Sequence, residues 1–237
     1  TGLDWQLSMG AAGLTNKIFL GKKTYINTTV AASGTLNELV MTRLDNYLIT
    51  RPNVSIADNS GKIVLSFFIN HKVSARHTVK TGINHHNLFY NLDLNSTFNN
   101  TPGTYQNFVK ENGHSSFSEF YIQSKYDITE NISINSGINS NYTLNNDFSI
   151  DPRFSIKWQF ITKHSISLGF GKHSQMEDLK IYLVNKKDNG NPEYPNRDLS
   201  LSQALHLVAG YDWQITKNLR LKVEPYYQYL YNIPGKP

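Results

Sequence analysis

Between Asp151 and Lys172 the chain alternates twice. Phe154, Ile156, Trp158 and Phe160 are separated by Arg153, Ser155, Lys157 and Gln159, the period-two pattern of a strand with one apolar and one polar face. After Ile161-Thr162-Lys163, Ile166, Leu168 and Phe170 alternate with Ser165, Ser167, Gly169 and Gly171, which predicts a hairpin with a greasy wall and a polar wall. Runs near ten residues exceed the about five or six of an ordinary soluble strand and suit a tilted membrane crossing.

The same design recurs along the chain. Leu3, Trp5, Leu7 and Met9 alternate with Asp4, Gln6 and Ser8, and Gly10 to Lys23 reads as a connection with an apolar patch at Ile18 and Leu20. Thr24 to Ala32 favours a strand. Ser33 to Ser60, with its Asn, Pro, Gly and Asp signals, reads as a long loop carrying an extra hairpin or strand extension around Leu39 to Ile49. Ile63 to His71 and His77 to Tyr90 form the next pair, followed by an exposed loop over 92–114 rich in Asn, Thr, Pro and Gly. Phe117 to Tyr126 and Ile132 to Tyr142 predict another hairpin. His173 to Asp198 is a polar insertion, and Leu199 to Gln214 pairs with Asn218 to Tyr231.

These elements predict an all-β fold, an antiparallel up-and-down meander of about ten long strands, with tight turns at one end and long loops at the other. Three turns share a likeness: Asp127-Ile128-Thr129-Glu130-Asn131, Phe160-Ile161-Thr162-Lys163-His164 and Gln214-Ile215-Thr216-Lys217-Asn218. One-sided loop lengths are typical of an outer-membrane barrel. The aromatics add two belts, Tyr126, Trp158, Phe160 and Trp213 beside the turns and Phe170 and Tyr227 toward the loops. A soluble sandwich with aromatics filling its core is the alternative, and strand length and loop asymmetry favour the membrane.

Composition changes little in this picture. The mean hydropathy of −0.44 looks soluble, yet a barrel exposes only alternate residues to lipid and keeps a polar average. No apolar run reaches the length of a transmembrane helix. Cysteine is absent, which removes disulfide scaffolds and thiolate metal sites. A formal charge of +5 without a cationic block gives no sign of a nucleic-acid partner. The start, Thr1-Gly2-Leu3-Asp4, carries no signal-peptide pattern, so such a peptide is expected to lie outside this sequence or never to have existed.

Several runs resemble the barrel of TonB-dependent outer-membrane receptors: Trp5 to Gly10, the turn His71 to His77, Asp151 to Ile156, Ser165 to Gln175, and Arg197 to Ser202 leading into Ala209 to Trp213. The likeness covers most of the chain. It implies uptake of a scarce nutrient (a metal chelate, glycan or peptide) across the bacterial outer membrane, contact with outer-membrane lipid, and coupling to the TonB complex through a plug. Neither the plug nor the aromatic-ended terminal strand of such receptors is recognisable, and about half of the roughly 22 strands are. Residues 1–237 are therefore expected to be one barrel segment of a larger receptor. Its two open edges would curl it into a smaller closed barrel or pair it with a copy.

Candidate chemistry is sparse. The polar row Arg153, Lys157, Lys125, Arg220 and Lys222, with Ser155, Gln159, Gln123, Glu119 and Asn135, is expected to face the lumen and to line water or grip a plug. The long loops supply candidate substrate contacts: Tyr105, Phe108, His173, Tyr182, Tyr194 and Arg197, whose rings suit sugars or bulky chelates and whose cations suit acidic ones. Packing of these groups on one another is an equal reading. His85 and His86 point to opposite faces and cannot chelate together, and Asp188, Glu193 and Asp198 lack the alternation of a calcium loop. No cofactor, metal or catalytic residue is expected, since no placed nucleophile appears. The remaining alternatives are a soluble β-rich binding or adhesion domain, a passive porin or a barrel-borne enzyme.

Overall fold

The computed structural model describes residues 2–45, 47–97, 105–143, 147–188 and 191–234. Eight long strands follow one another: β1 (Gly2–Phe19), β2 (Thr24–Leu44), β3 (Thr50–Lys72), β4 (His77–Thr97), β5 (Tyr105–Asp127), β6 (Ile132–Thr143), β7 (Phe148–Ile161) and β8 (His164–Gln175). An insertion holds α1 (Leu179–Tyr182), β9 (Lys186–Asp188) and β10 (Asn191–Glu193), and β11 (Ser202–Gln214), β12 (Arg220–Val223) and β13 (Tyr226–Tyr231) complete the chain. One 11-stranded sheet runs β1 to β8, then β11 and β12, with every neighbour antiparallel. β12 and β13 are two halves of one strand along β11, interrupted at Glu224-Pro225. Pro225 has no N–H to give, yet its carbonyl still accepts from Ala209 N at 3.1 Å.

The turns are built from their own residues. Thr129 Oγ1 accepts from Asn131 N and Ile132 N, and Thr216 Oγ1 repeats this with Asn218 N and Leu219 N. The third turn closes more tightly, with Lys163 at φ 71°. At the other end Asp45 Oδ1 accepts from Tyr47 N and Ile49 N while Oδ2 takes Arg51 Nε, so the turn between β2 and β3 spans only the residues between Leu44 and Thr50.

The strands are longer than their alternation predicts. Gly10 to Lys23 is not a connection: β1 continues to Phe19. Ser33 to Ser60 is mostly strand, as the extension alternative expects, and of the expected 92–114 loop Leu92 to Thr97 belongs to β4 and Tyr105 to His114 to β5. Residues 98–104 of that loop lie outside the described residues. Glycine and asparagine read as loop signals, but here they sit in ladders whose neighbours satisfy the backbone. Nor does the sheet close into a smaller barrel: among the described residues, β1 and the β12/β13 strand each keep an edge without a strand partner.

Cross-strand register sorts the side chains onto two faces. On one, the row Ile18, Ile26, Ile69, Thr81, Ile122, Ile138 and Pro152 runs across seven strands. The other, inner face carries Tyr25, Asn70, Lys80, Gln123, Gly137 and Arg153 in one row and ends at Gly171, His206 and Gln228. The apolar side chains of the outer row are solvent-accessible, for example Ile122 and Phe120 at about half. Counting from the short turns, this apolar zone lasts about ten residues, which at about 3.4 Å per residue and a tilt near 45° gives a band about 25 Å tall. No described helix is long and apolar enough to cross a membrane.

Beyond that zone the polarity reverses. On β1 to β5 the inner row becomes Trp5, Leu39, Ile56, Leu94 and Val109, and the outer row becomes Gln6, Glu38, Ala57, Asp93 and Lys110. Leu3, Trp5, Leu7 and Met9 thus share the inner face with Lys17, and their apolar side is not the continuation of the Leu14 and Ile18 side. The phase changes across Gly10-Ala11-Ala12-Gly13, where side chains are too small to commit to either face. At Gly82, on the inner face, a Cβ would meet Phe67 O, Phe68 Cβ and Tyr121 Cζ within 2.7 Å, so the rings close over bare backbone. Lys80 lies over both rings, at 4.1 and 5.4 Å from their centres.

The three tryptophans test this assignment. In bilayers brominated on the acyl chains, variants retaining only Trp158 or only Trp213 are expected to be quenched strongly, and one retaining only Trp5 weakly but accessible to aqueous acrylamide. Equal bromolipid quenching of Trp5 would place the outer part of β1 the opposite way round.

Candidate functional site

The described residues that are buried concentrate at the long-loop end, where the insertion folds onto the inner face. α1 begins at Asp178, whose side chain accepts from Lys180 N. Lys180 then reaches 122 residues back in sequence to Asp58 on β3, Nζ to Oδ2 at 2.5 Å, with Asp178 at 3.2 Å on its other side. Asn185 N donates to Phe108 O at 2.8 Å, Tyr194 OH donates to Glu111 Oε1 at 2.5 Å, and Asn196 Nδ2 holds Ile181 O. At the far root Leu201 N donates to Asp147 Oδ2 at 2.6 Å and Ser202 hydrogen-bonds Glu177. The insertion therefore crosses from β8 to β3 and covers Leu92 and Val109, which are 3% and 0% exposed.

Beneath it lies a cavity of about 210 Å³ lined by Tyr90, Ser115, Asp147, Tyr182, Arg197 and Leu201 among others. Its wall mixes aromatic rings, a guanidinium and a carboxylate, a lining able to hold a small solute with an apolar body and polar groups. Burial raises the Tyr182 phenol above its ordinary value, and its oxygen accepts from Glu177 N. Burial pulls Lys180 down, but the Asp58 bond and the Asp178 field outweigh it and hold the ammonium above its usual range. The bond to Glu111 likewise raises Tyr194. All three raised groups act with one sign: their contribution is complete at neutral pH and is lost as pH rises through the alkaline range.

One fully buried carboxylate anchors the root. Asp151 accepts from Asn141 Nδ2 at 3.1 Å, Ser149 Oγ at 3.3 Å, and both Ser174 N and Ser174 Oγ, at 3.0 and 2.6 Å. It ties β6, β7 and β8 together just where β8 enters the insertion. Toward the short turns the inner face opens into a groove of about 560 Å³, lined by Lys80, Gln123, Lys125, Asn135, Asn139 and Arg153.

Of the loop residues singled out from sequence, Tyr182 and Arg197 meet at the cavity and Tyr194 pins the insertion beside it. Tyr105 and Phe108 instead stand on β5, opposite the end of β4, and His173 lies on β8 with its ring centre 4.6 Å from that of His206. Arg153, Lys157, Lys125, Arg220 and Lys222 share the inner face by register; Arg220 pairs with Asp212, and Lys222 with Glu224. Tyr126, Trp158, Phe160 and Trp213 cluster at the short-turn end, while Phe170 and Tyr227 sit opposite Leu207 in mid-strand. Asp58, Tyr90, Glu111, Asp147 and Asp151 were not foreseen, because nothing local distinguishes them from other polar residues of a strand. No group of three or more metal-binding side chains occurs among the described residues.

Removing the charge opposite Lys180 tests the latch. Asp58→Asn is expected to raise the rate of tryptic cleavage at Arg197 a few-fold over the wild type, in keeping with a partly exposed ion pair. An unchanged rate would show that the insertion is held by its other contacts, such as Tyr194 to Glu111 and Asn185 to Phe108, without help from the Lys180 pair.

No protein-family model matches this chain, and no curated protein does. Solved structures do. The copper transporter OprC aligns over 97% of this chain and 40% of its own, with a TM-score of 0.71 at 11% identity. The closed form of the ferric-catecholate import receptor Fiu from E. coli K12 aligns over 95% and 41%, with a TM-score of 0.72 at 10% identity. The siderophore receptor PiuA from Acinetobacter baumannii aligns over 94% and 40%, with a TM-score of 0.69 at 13% identity. The chain thus spans about 40% of the length of these proteins. At such identities the likeness concerns architecture alone: these proteins share the antiparallel meander of long consecutive strands described above.

Proposed function

We propose that this chain is the β-barrel segment of a TonB-dependent receptor that takes up a scarce nutrient, a metal chelate, glycan or peptide, across the bacterial outer membrane. The observation that carries the reading is the inner face. A lipid-height band of exposed apolar residues backs a polar groove, and above it a folded insertion encloses a cavity with Tyr182 and Arg197 in its wall. An insertion that encloses a cavity of mixed aromatic and charged lining suits a receptor that must hold a dilute solute. The neighbours in fold bear the names of transporters of copper, ferric catecholates and peptides, which supports uptake and leaves the solute open. In this reading the plug and the segment that engages the TonB complex belong to the same longer protein, and Arg153, Lys157 and Lys125 face a water-lined lumen.

Uptake by cells producing the receptor decides the matter. Accumulation of the cognate labelled solute is expected to stop when the proton-motive force is dissipated or the coupling protein is deleted. Tyr182→Ala with Arg197→Ala should lower uptake at limiting solute by about tenfold, the loss of about 1.4 kcal/mol of binding. Uptake that persists undiminished without energy would make the protein a passive porin.

A further inference from the structure

The short-turn edge carries charge that the protein does not neutralise. Lys22 and Lys23 sit between β1 and β2, Lys72 and Arg76 flank the turn between β3 and β4, and Lys163 and Lys217 occupy the turns after β7 and β11; all are exposed. Lys72 N donates to Lys23 O at 2.7 Å and Gln214 N to Lys163 O at 2.8 Å, so neighbouring basic turns are fastened side by side. Among the described residues none of these six cations has a carboxylate partner. The acidic turn after β5 offsets little: Asp127 already faces Lys125 at 3.7 Å, leaving Glu130, and Arg76 donates to Ile128 O above it. The long-loop end differs, with Asp45, Asp58 and Glu111 each engaged by Arg51, Lys180 or Tyr194.

Directly above this basic edge, on the outer face, stands the aromatic cluster. Trp158 meets Phe160 edge-on at 5.9 Å, His164 stacks on Trp213 at 5.4 Å, and His77 meets Tyr126 edge-on at 5.6 Å. Amphipathic rings of this kind settle at headgroup depth. Unpaired cations one turn beyond them lie where phosphodiesters of the adjoining leaflet would be, and each Lys or Arg there attracts anionic lipid appreciably.

We propose that the short-turn edge is a binding surface for anionic phospholipid headgroups, recruited by Lys163 and Lys217 beside the Trp158 and Trp213 belt and by Lys22 and Lys23 toward the other end of the same edge. The proposal rests on the membrane-spanning reading of the outer face. The chain is reconstituted in bilayers of acyl-brominated phosphatidylcholine, diluted with equal amounts of unbrominated phosphatidylglycerol or unbrominated phosphatidylcholine, and tryptophan fluorescence is followed. Phosphatidylglycerol is expected to restore fluorescence as a lipid bound at least about threefold more tightly than phosphatidylcholine. The preference should fall toward one at about 0.5 M salt, and in the variant Lys22→Gln, Lys23→Gln, Lys163→Gln, Lys217→Gln, whose quenching in pure brominated phosphatidylcholine shows that it still inserts. Inorganic phosphate in the buffer should leave the preference unchanged; competition by it would assign the edge to free phosphate and overturn the proposal. Strong quenching with no preference between the lipids overturns the proposal and leaves the membrane reading standing, whereas absence of quenching in any brominated bilayer removes both.

Discussion

The lateral backbone ladder holds this molecule together. Only five apolar residues are buried among those described, Leu92, Val109, Tyr182, Leu201 and Ala204, far too few for a conventional core. What remains is strand-to-strand pairing, continuous over 18 positions between β1 and β2 and 19 between β3 and β4. In hydrocarbon each unpaired N–H or C=O costs several kcal/mol, so a spanning sheet must satisfy every one of them sideways. The backbone is thereby committed, and side chains are left free to follow whatever solvent surrounds each level of the strand.

That freedom explains the reversal of polarity. Near the short turns the outer face is apolar and the inner face polar; toward the loops the inner rows turn to Leu, Ile, Trp and Val while the outer rows take up Asp, Glu, Gln and Lys. In the membrane-spanning reading proposed above, each arrangement suits its level, with lipid outside in the first case and water outside in the second. The reversal also turns Leu92 and Val109 inward at the end where the insertion lies, and these two residues are buried, as are Tyr182 and Leu201.

The insertion joins the two regimes. It is rooted by a carboxylate, Asp151, that satisfies groups on three strands, and is pinned at its far side by Lys180 to Asp58 and Tyr194 to Glu111. Five strands of a curved sheet thus share one strap, and the cavity forms between strap and wall. Polar contacts fix where the strap lies.

The sequence alone determined much of this. Period-two alternation in Phe154 to Phe160 and Ile63 to Ile69 revealed the strands and their lipid-height apolar side, and the recurring Ile-Thr turns revealed which end is tight, since both signals are local. Where alternation broke, at Gly10 to Gly13 or in the asparagine-rich outer arms, local reading saw loops, because a strand passing from lipid to water has no single pattern. Only the tertiary structure decided that Trp5 faces inward, that Lys180 meets a carboxylate 122 residues away, and that Tyr182 and Arg197 line one cavity while Tyr105 and Phe108 stand on a strand. Register and strap contacts are set by the summed pairing of distant segments, and no single segment contains that sum.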